Sequence, residues 1–172
     1  MSVLYAVLGF VLLQRAAELG LAAQNTRRLR EAGAAEVDRR GYPWFVLLHA
    51  AWLASLFLLV PADAAPFWPL LAVFAMLQLG RLWVIATLGR RWTTRIIVPP
   101  GAGLVERGPY RYLRHPNYAI VIAEIAVLPL AFGAIAIALV FSAANLALIL
   151  RRIRVEDRAL ALMSSGQPRS AG

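Results

Sequence analysis

The stretch 118–150, YAIVIAEIAVLPLAFGAIAIALVFSAANLALIL, decides the fold. It carries one charged side chain, Glu124, and is 33 residues long. As one helix it would run about 50 Å at about 1.5 Å per residue, well beyond a hydrocarbon core of about 30 Å. Pro129 and Gly133 interrupt its middle. Proline lacks the N–H that an interior helical turn needs, so the stretch reads as two helices of about 12 to 17 residues joined by a tight turn at 129–133. Such a hairpin is re-entrant or barely spanning, and short arms need tilt or a thinned bilayer.

Working outward, three further apolar runs precede it, at 3–23, 43–60 and 67–89, each long enough to cross a membrane. The first has no basic residue ahead of it and no small-x-small cleavage pattern, so it reads as a retained helix and not a signal peptide. The fold class expected is therefore all-α, a polytopic membrane protein of about five transmembrane helices ending in a helical hairpin. Residues 1–163 form one domain, and the Ser-, Gly- and Pro-containing tail 164–172 is expected to be disordered.

Composition agrees. The chain has 172 residues, 60% of them hydrophobic, and a mean hydropathy of +0.65. A soluble domain of this size has no place for so much apolar surface. The net charge is +9, and all 18 basic residues are Arg. Sixteen of them lie between or after the apolar runs, in 24–42, 90–116 and 151–172, while 61–66 and 129–133 hold none. Five crossings place all sixteen on one side, and four would not. The positive-inside rule then predicts the N-terminus outside and the C-terminus cytoplasmic. The all-Arg usage suggests a bacterial genome and hence a bacterial inner membrane. Because the arginines alternate with apolar spans, the membrane explains them better than nucleic acid. The absence of Cys excludes disulfides, thiolate metal sites and a Cys nucleophile, and two His with no close acidic cluster give no metal site.

Two polar stretches carry candidate chemistry. The first is Gly108-Pro-Tyr-Arg-Tyr-Leu-Arg-His-Pro-Asn-Tyr118, at the start of the fourth helix. Pro116 suits a first helical turn, where its missing N–H costs nothing. The second is Arg151-Arg-Ile-Arg-Val-Glu-Asp-Arg158, leaving the fifth helix. Both equally suit plain membrane roles, an interfacial anchor and a topology signal, although the Glu-Asp pair is then unexplained. An antiparallel hairpin returns its ends to one face, about 8–10 Å apart. This predicts one interfacial cavity around His115, Asn117, Tyr118, Arg154 and Glu156. Glu124, two turns below Tyr118, is costly in a membrane unless paired or solvated, and is a site candidate on that ground. Arg15, three residues before Glu18, reads as its ion-pair partner. Gln14, His49, Gln78 and Arg81 read as interhelical hydrogen-bonding groups, with His49 a packing residue. A proton-coupled transporter built on Glu124 stays open at this point.

Arg114-His115-Pro116-Asn117-Tyr118, an acidic residue in the following helix, and Arg154-Val155-Glu156-Asp157-Arg158-Ala159-Leu160 after a hairpin resemble the isoprenylcysteine carboxyl methyltransferase family, over residues 81–160. The looser Arg-His-Pro-x-Tyr feature is also similar to phospholipid methyltransferases and to membrane sterol reductases, which use NADPH. The N-terminal part, with Gln14, Arg15, Glu18, Asn25, Gly33-Ala34 and His49, is similar to a bacterial branch that O-methylates long-chain alkylpyrones or alkylresorcinols. The resemblance implies S-adenosyl-L-methionine as cofactor. By resemblance His115, Pro116 and Tyr118 would hold the cofactor and Glu156 would be needed for activity; beside them, Tyr110, Asn117 and Glu124 are read as further cofactor-binding candidates and Arg154 as a further catalytic one. It further implies a lipophilic methyl acceptor, drawn from membrane lipid. Ala119 replaces the Gly of eukaryotic members, and the chain ends without their aromatic and basic terminus, which points away from prenylcysteine as the acceptor.

Overall fold

The structure, a computed structural model, describes residues 2–98 and 105–164, with side chains as far as Ala159. Five helices follow one another: α1, Val3–Glu31; α2, Tyr42–Leu59; α3, Trp68–Leu88; α4, Pro116–Ala131; and α5, Ile135–Ser164. Four of them are long and apolar enough to cross a membrane, and α4 is a shorter apolar helix of 16 residues. The protein is an all-α polytopic membrane protein. The predicted turn at 129–133 falls where α4 gives way to α5, with Gly133 at φ 71°. There the Gly133 N–H donates to Leu130 O and the Ala134 N–H to Pro129 O. Left-handed backbone suits glycine because it has no Cβ to clash.

Two helices are longer than the hydropathy pattern predicted. α1 continues two turns past residue 23 to Glu31, and α5 continues through the basic segment to Ser164. Polar residues end a membrane span without ending a helix, and Arg and Glu are good helix formers. Of the predicted tail, Ser164 closes α5, and 165–172 lie outside the described residues.

The two arginine-rich connections also contain strands that the sequence reading did not foresee. β1, Ala35–Val37, pairs antiparallel with β2, Ile96–Val98, in the register Glu36 opposite Ile97. The pair is anchored by charge. Glu36 takes Arg30, Arg95 at 2.6 Å and Arg39 at 3.4 Å, and Asp38 accepts a bidentate pair of 2.8 Å bonds from Arg151 of α5. These contacts bring the α1–α2 connection, the α3–α4 connection and α5 to one end of the bundle. At the other end the Phe67 N–H donates to Ala131 O at 2.7 Å, joining the start of α3 to the end of α4.

The core runs through all five helices, with Leu4, Leu8 and Val11 of α1 against Trp52, Leu56, Phe74, Ile125, Leu128 and Ile149. α4 packs between α3 and α5, and α2 packs on α5. Much of the rest is apolar and exposed, such as Leu13, Leu58, Met76, Leu139 and Val140, as lipid-facing surface should be. Because lipid is as apolar as these side chains, burial alone gives little drive for helix association, and packing and polar ties must supply it.

Those ties form one cluster across three helices. Arg81 of α3 donates to Glu18 of α1 at 2.7 Å and to Glu124 of α4 at 2.9 Å. Arg15 donates to the same two carboxylates at 2.8 and 3.1 Å, and Gln78 donates to Glu124 at 2.9 Å. Two guanidinium groups and two carboxylates balance, which is the condition for keeping charge at membrane depth. The predicted Arg15–Glu18 pair is present, but it is half of a square. Glu124 stands elsewhere than its proposed cofactor role requires. It is 3% exposed, both its oxygens are taken by this cluster, and it is absent from the cavity wall described below.

Candidate functional site

Tyr118 lies in the first turn of α4 and is the centre of the site. Its hydroxyl donates to Glu156 Oε2 at 2.6 Å and accepts from Arg152 Nε at 2.9 Å. Arg152 also donates to Thr94 O at 2.8 Å, tying the α3–α4 connection to α5. His115 stacks on the Tyr118 ring, with centroids 5.2 Å apart. Its Nδ1 is 3.9 Å from Glu156 and its Nε2 is 3.7 Å from Asp157. Arg114 pairs with Asp157 at 3.3 Å. The hairpin thus joins the two polar stretches as the antiparallel geometry predicted.

The local backbone explains how loop residues reach this point. A 3₁₀ turn, Gly108–Arg111, precedes the motif, and Gly108 sits at φ 58°. A Cβ at Gly108 would lie 2.5 Å from Thr87 Oγ1, so that position needs glycine for both conformation and space. The turn delivers Tyr110 to the pocket. Burial, and then the charge of Glu156, push the Tyr110 phenol up to about 12, so it acts there as a neutral hydroxyl. A second anchor is Asn25 of α1, whose amide donates to Trp92 O at 2.9 Å and to Gly89 O at 3.1 Å.

These groups surround a cavity of about 760 Å³. One end is polar, with Thr93, Tyr110, His115, Asn117, Tyr118 and Glu156 on its wall. The cavity continues between α1 and α2 past Leu12, Leu19, Val46, Ala50 and Leu53, and reaches Arg15, Glu18, His49 and Arg81. A concave site of this size, mostly apolar with a few converging polar groups, is what a small-molecule site requires.

Of the predicted site residues, Tyr110, His115, Asn117, Tyr118 and Glu156 come together on the wall. Pro116 does not line it; buried at the first position of α4, it starts the helix. Arg154 is exposed and off the wall, which corrects its predicted place beside Glu156. Two residues along a helix turn about 200°, so Arg154 and Glu156 occupy opposite faces. Arg152, four residues before Glu156, shares its face and takes the place expected of Arg154. That spacing was readable in the sequence. The roles of Trp92, Thr94 and Asn25 were not, because each depends on backbone carbonyls of a connection.

Fold and site define the class: a polytopic helical membrane protein whose last two helices and preceding connection build a polar interfacial pocket. The chain belongs to the isoprenylcysteine carboxyl methyltransferase (ICMT) family, whose model matches residues 70–162. Membership makes it a membrane methyltransferase. It is 38% identical over 158 residues to an uncharacterized protein, YpbQ, of Bacillus subtilis (strain 168), covering 90% of this chain and 94% of that one. No solved structure matches the chain.

Proposed function

We propose that the protein is an S-adenosyl-L-methionine-dependent O-methyltransferase acting on a lipophilic acceptor at the cytoplasmic face of a bacterial inner membrane. The observation that carries this reading is the shape and chemistry of the cavity beside Tyr118. Its polar end is built by the family-matched part of the chain, and its apolar length runs between α1 and α2. A water-borne cofactor and a lipid-borne acceptor need two such environments in contact.

The polar end fits the cofactor. Asn117 Oδ1 and His115 Nε2 are buried with no hydrogen-bond partner among the described residues, and groups of this kind are costly unless a ligand or water meets them. Glu156 supplies a carboxylate for an ammonium group, and Arg111 and Arg114 on the wall supply cations for a carboxylate. When bound, the cofactor supplies a methyl group on a cationic sulfur. The protein's own share is positioning: Arg152 and Thr94 fix Tyr118, and Tyr118 and His115 fix Glu156. Holding two reactants in line accounts for much of the barrier reduction in such a transfer.

The acceptor proposed is a small acidic enol or phenol carrying a long alkyl chain, of the alkylpyrone or alkylresorcinol kind. Each buried CH₂ of such a chain contributes about 0.8 kcal/mol, and the apolar length of the cavity accepts it. The test has two arms. Calorimetric titration of the detergent-solubilised protein with S-adenosylhomocysteine should give saturable heat, and NADPH should give none; the reverse would reject the methyltransferase reading. Labelled cofactor is then offered with an alkylpyrone or alkylresorcinol and, separately, with a farnesylcysteine analogue. Label only on the farnesylcysteine analogue, as a base-labile ester, would replace the proposed acceptor with a prenylcysteine.

A further inference from the structure

His49 reads from the sequence as a packing residue, but it faces the cavity. Its ring is oriented by two contacts. Nδ1 lies 2.8 Å from Phe45 O, one turn earlier in α2, and the ring meets Trp52 edge-on at 6.4 Å. A carbonyl only accepts, so Nδ1 carries the proton and Nε2 presents a lone pair. Among the described residues the ring's hydrogen bond is made by Nδ1 and not by Nε2. Phe45 packs beneath the Arg152 guanidinium, 5.1 Å from its ring centroid, and the same guanidinium holds Tyr118. His49 therefore stands about one helical turn, roughly 5 Å along α2, below the Tyr118–Arg152–Glu156 group. The charged groups around it are Arg15 and Glu18 of α1, Arg81 of α3, Glu124 of α4 and Arg152 of α5. Residues 15, 18 and 49 all lie outside the family-matched region 70–162.

We infer that His49 is the proton acceptor for a hydroxyl-bearing methyl acceptor, with Arg15 beside it to favour the oxyanion. This rests on the methyltransferase reading and deepens it. A carboxylate acceptor is already ionised near neutral pH and needs no base, whereas an enol or phenol must lose a proton. A free imidazole lone pair at the acceptor end of the cavity thus selects the second class. The acceptor O–H bond breaks, its proton goes to Nε2, and the oxygen forms a bond to the methyl carbon. The carbon–sulfur bond breaks with both electrons on sulfur, which becomes a neutral thioether.

The test reads ionisation directly and needs no cofactor. A long-chain alkyl nitrophenol is bound to the detergent-solubilised protein, and its coloured phenolate band is followed against pH. The expected result is a phenolate band at lower pH than in empty micelles, lost in His49→Gln while the probe remains bound. With labelled cofactor, kcat/KM for the phenolic acceptor should fall roughly 10²- to 10⁴-fold in the variant. A band that survives His49→Gln, or an unchanged kcat/KM, overturns the assignment. Should His49→Gln not fold, the wild-type titration decides: a bound probe that ionises no more readily than in micelles overturns the proposal. Wild-type protein that shows the His49-dependent band shift but binds no S-adenosylhomocysteine would overturn the methyltransferase reading, and with it His49's role toward a methyl acceptor, leaving only a phenol-ionising site.

Discussion

One hydroxyl, that of Tyr118, joins Glu156 to Arg152, and the two charges make different demands on it. Glu156→Gln keeps an oxygen for the Tyr118 hydroxyl but removes the charge. The fold should survive, and affinity for S-adenosylhomocysteine should fall about tenfold to a hundredfold, the worth of a hydrogen bond to a charged group at about 1.5–3 kcal/mol. Turnover should fall with it. Calorimetry and a labelled-cofactor assay on the same preparation check both, and normal values in each would return the α5 segment to a topology signal. Tyr118→Phe acts differently, because it frees Glu156 and Arg152 from their common partner. Its expected signature is a lower melting temperature together with weaker cofactor binding. The sequence exposed His115, Asn117, Tyr118 and Glu156, because 115, 117 and 118 begin one helix and an antiparallel hairpin returns 156 to them; it did not single out Arg152, which lies four residues before Glu156 on the same face. Arg154 and Glu156 read from their spacing as lying on different faces of the helix, and the structure keeps only Glu156 on the cavity wall.

Between helices, the Arg15–Glu18–Arg81–Glu124 square ties α1 and α4 to α3 at a depth where apolar packing has no solvent to exclude. Removing one corner leaves the opposite charges buried and unmatched. Arg81→Ala should therefore destabilise the protein by on the order of 3 kcal/mol. Glu124→Gln should lower the melting temperature before it affects cofactor binding by the fraction still folded. Thermal melting in detergent, followed by calorimetry below the transition, separates the two effects. A Glu124→Gln protein that melts like wild type but binds no S-adenosylhomocysteine would restore Glu124 to the cofactor. The spans themselves were legible because hydropathy and length determine them, and so was the hairpin, because Pro129 and Gly133 mark it. The square was not, since Glu18 and Glu124 are far apart in sequence and neither periodicity nor spacing says which helices meet. The β1–β2 pair was hidden for a related reason. Three-residue strands leave almost no pattern, and this one is held by Glu36 and Asp38 reaching arginines from other segments.

For the molecule as a whole, the distribution of arginine and the three-dimensional contacts can be set against each other. The rule that basic loops stay cytoplasmic needs all three basic segments on one face. The contacts supply that independently of the rule: Arg30 and Arg95 meet at Glu36, and Arg151 of α5 meets Asp38 of the first connection. The opposite face is made by 61–66 and 129–133, whose only charge is Asp63. An odd number of crossings follows, with α4 as the short one, and the bias of sixteen arginines to none predicts which way the bundle inserts. A fluorescent protein fused after Leu160 should therefore fold and fluoresce in the cytoplasm, and alkaline phosphatase fused at the same point should be inactive. Both fusions placed in 61–66 should report the opposite. This orientation is also what the proposed chemistry needs, since the polar end of the cavity lies on the arginine-rich face and the proposed cofactor would reach it from the cytoplasm. Phosphatase activity after Leu160 would put that end outside the cell, and the proposed reaction would lose its methyl donor along with the predicted topology.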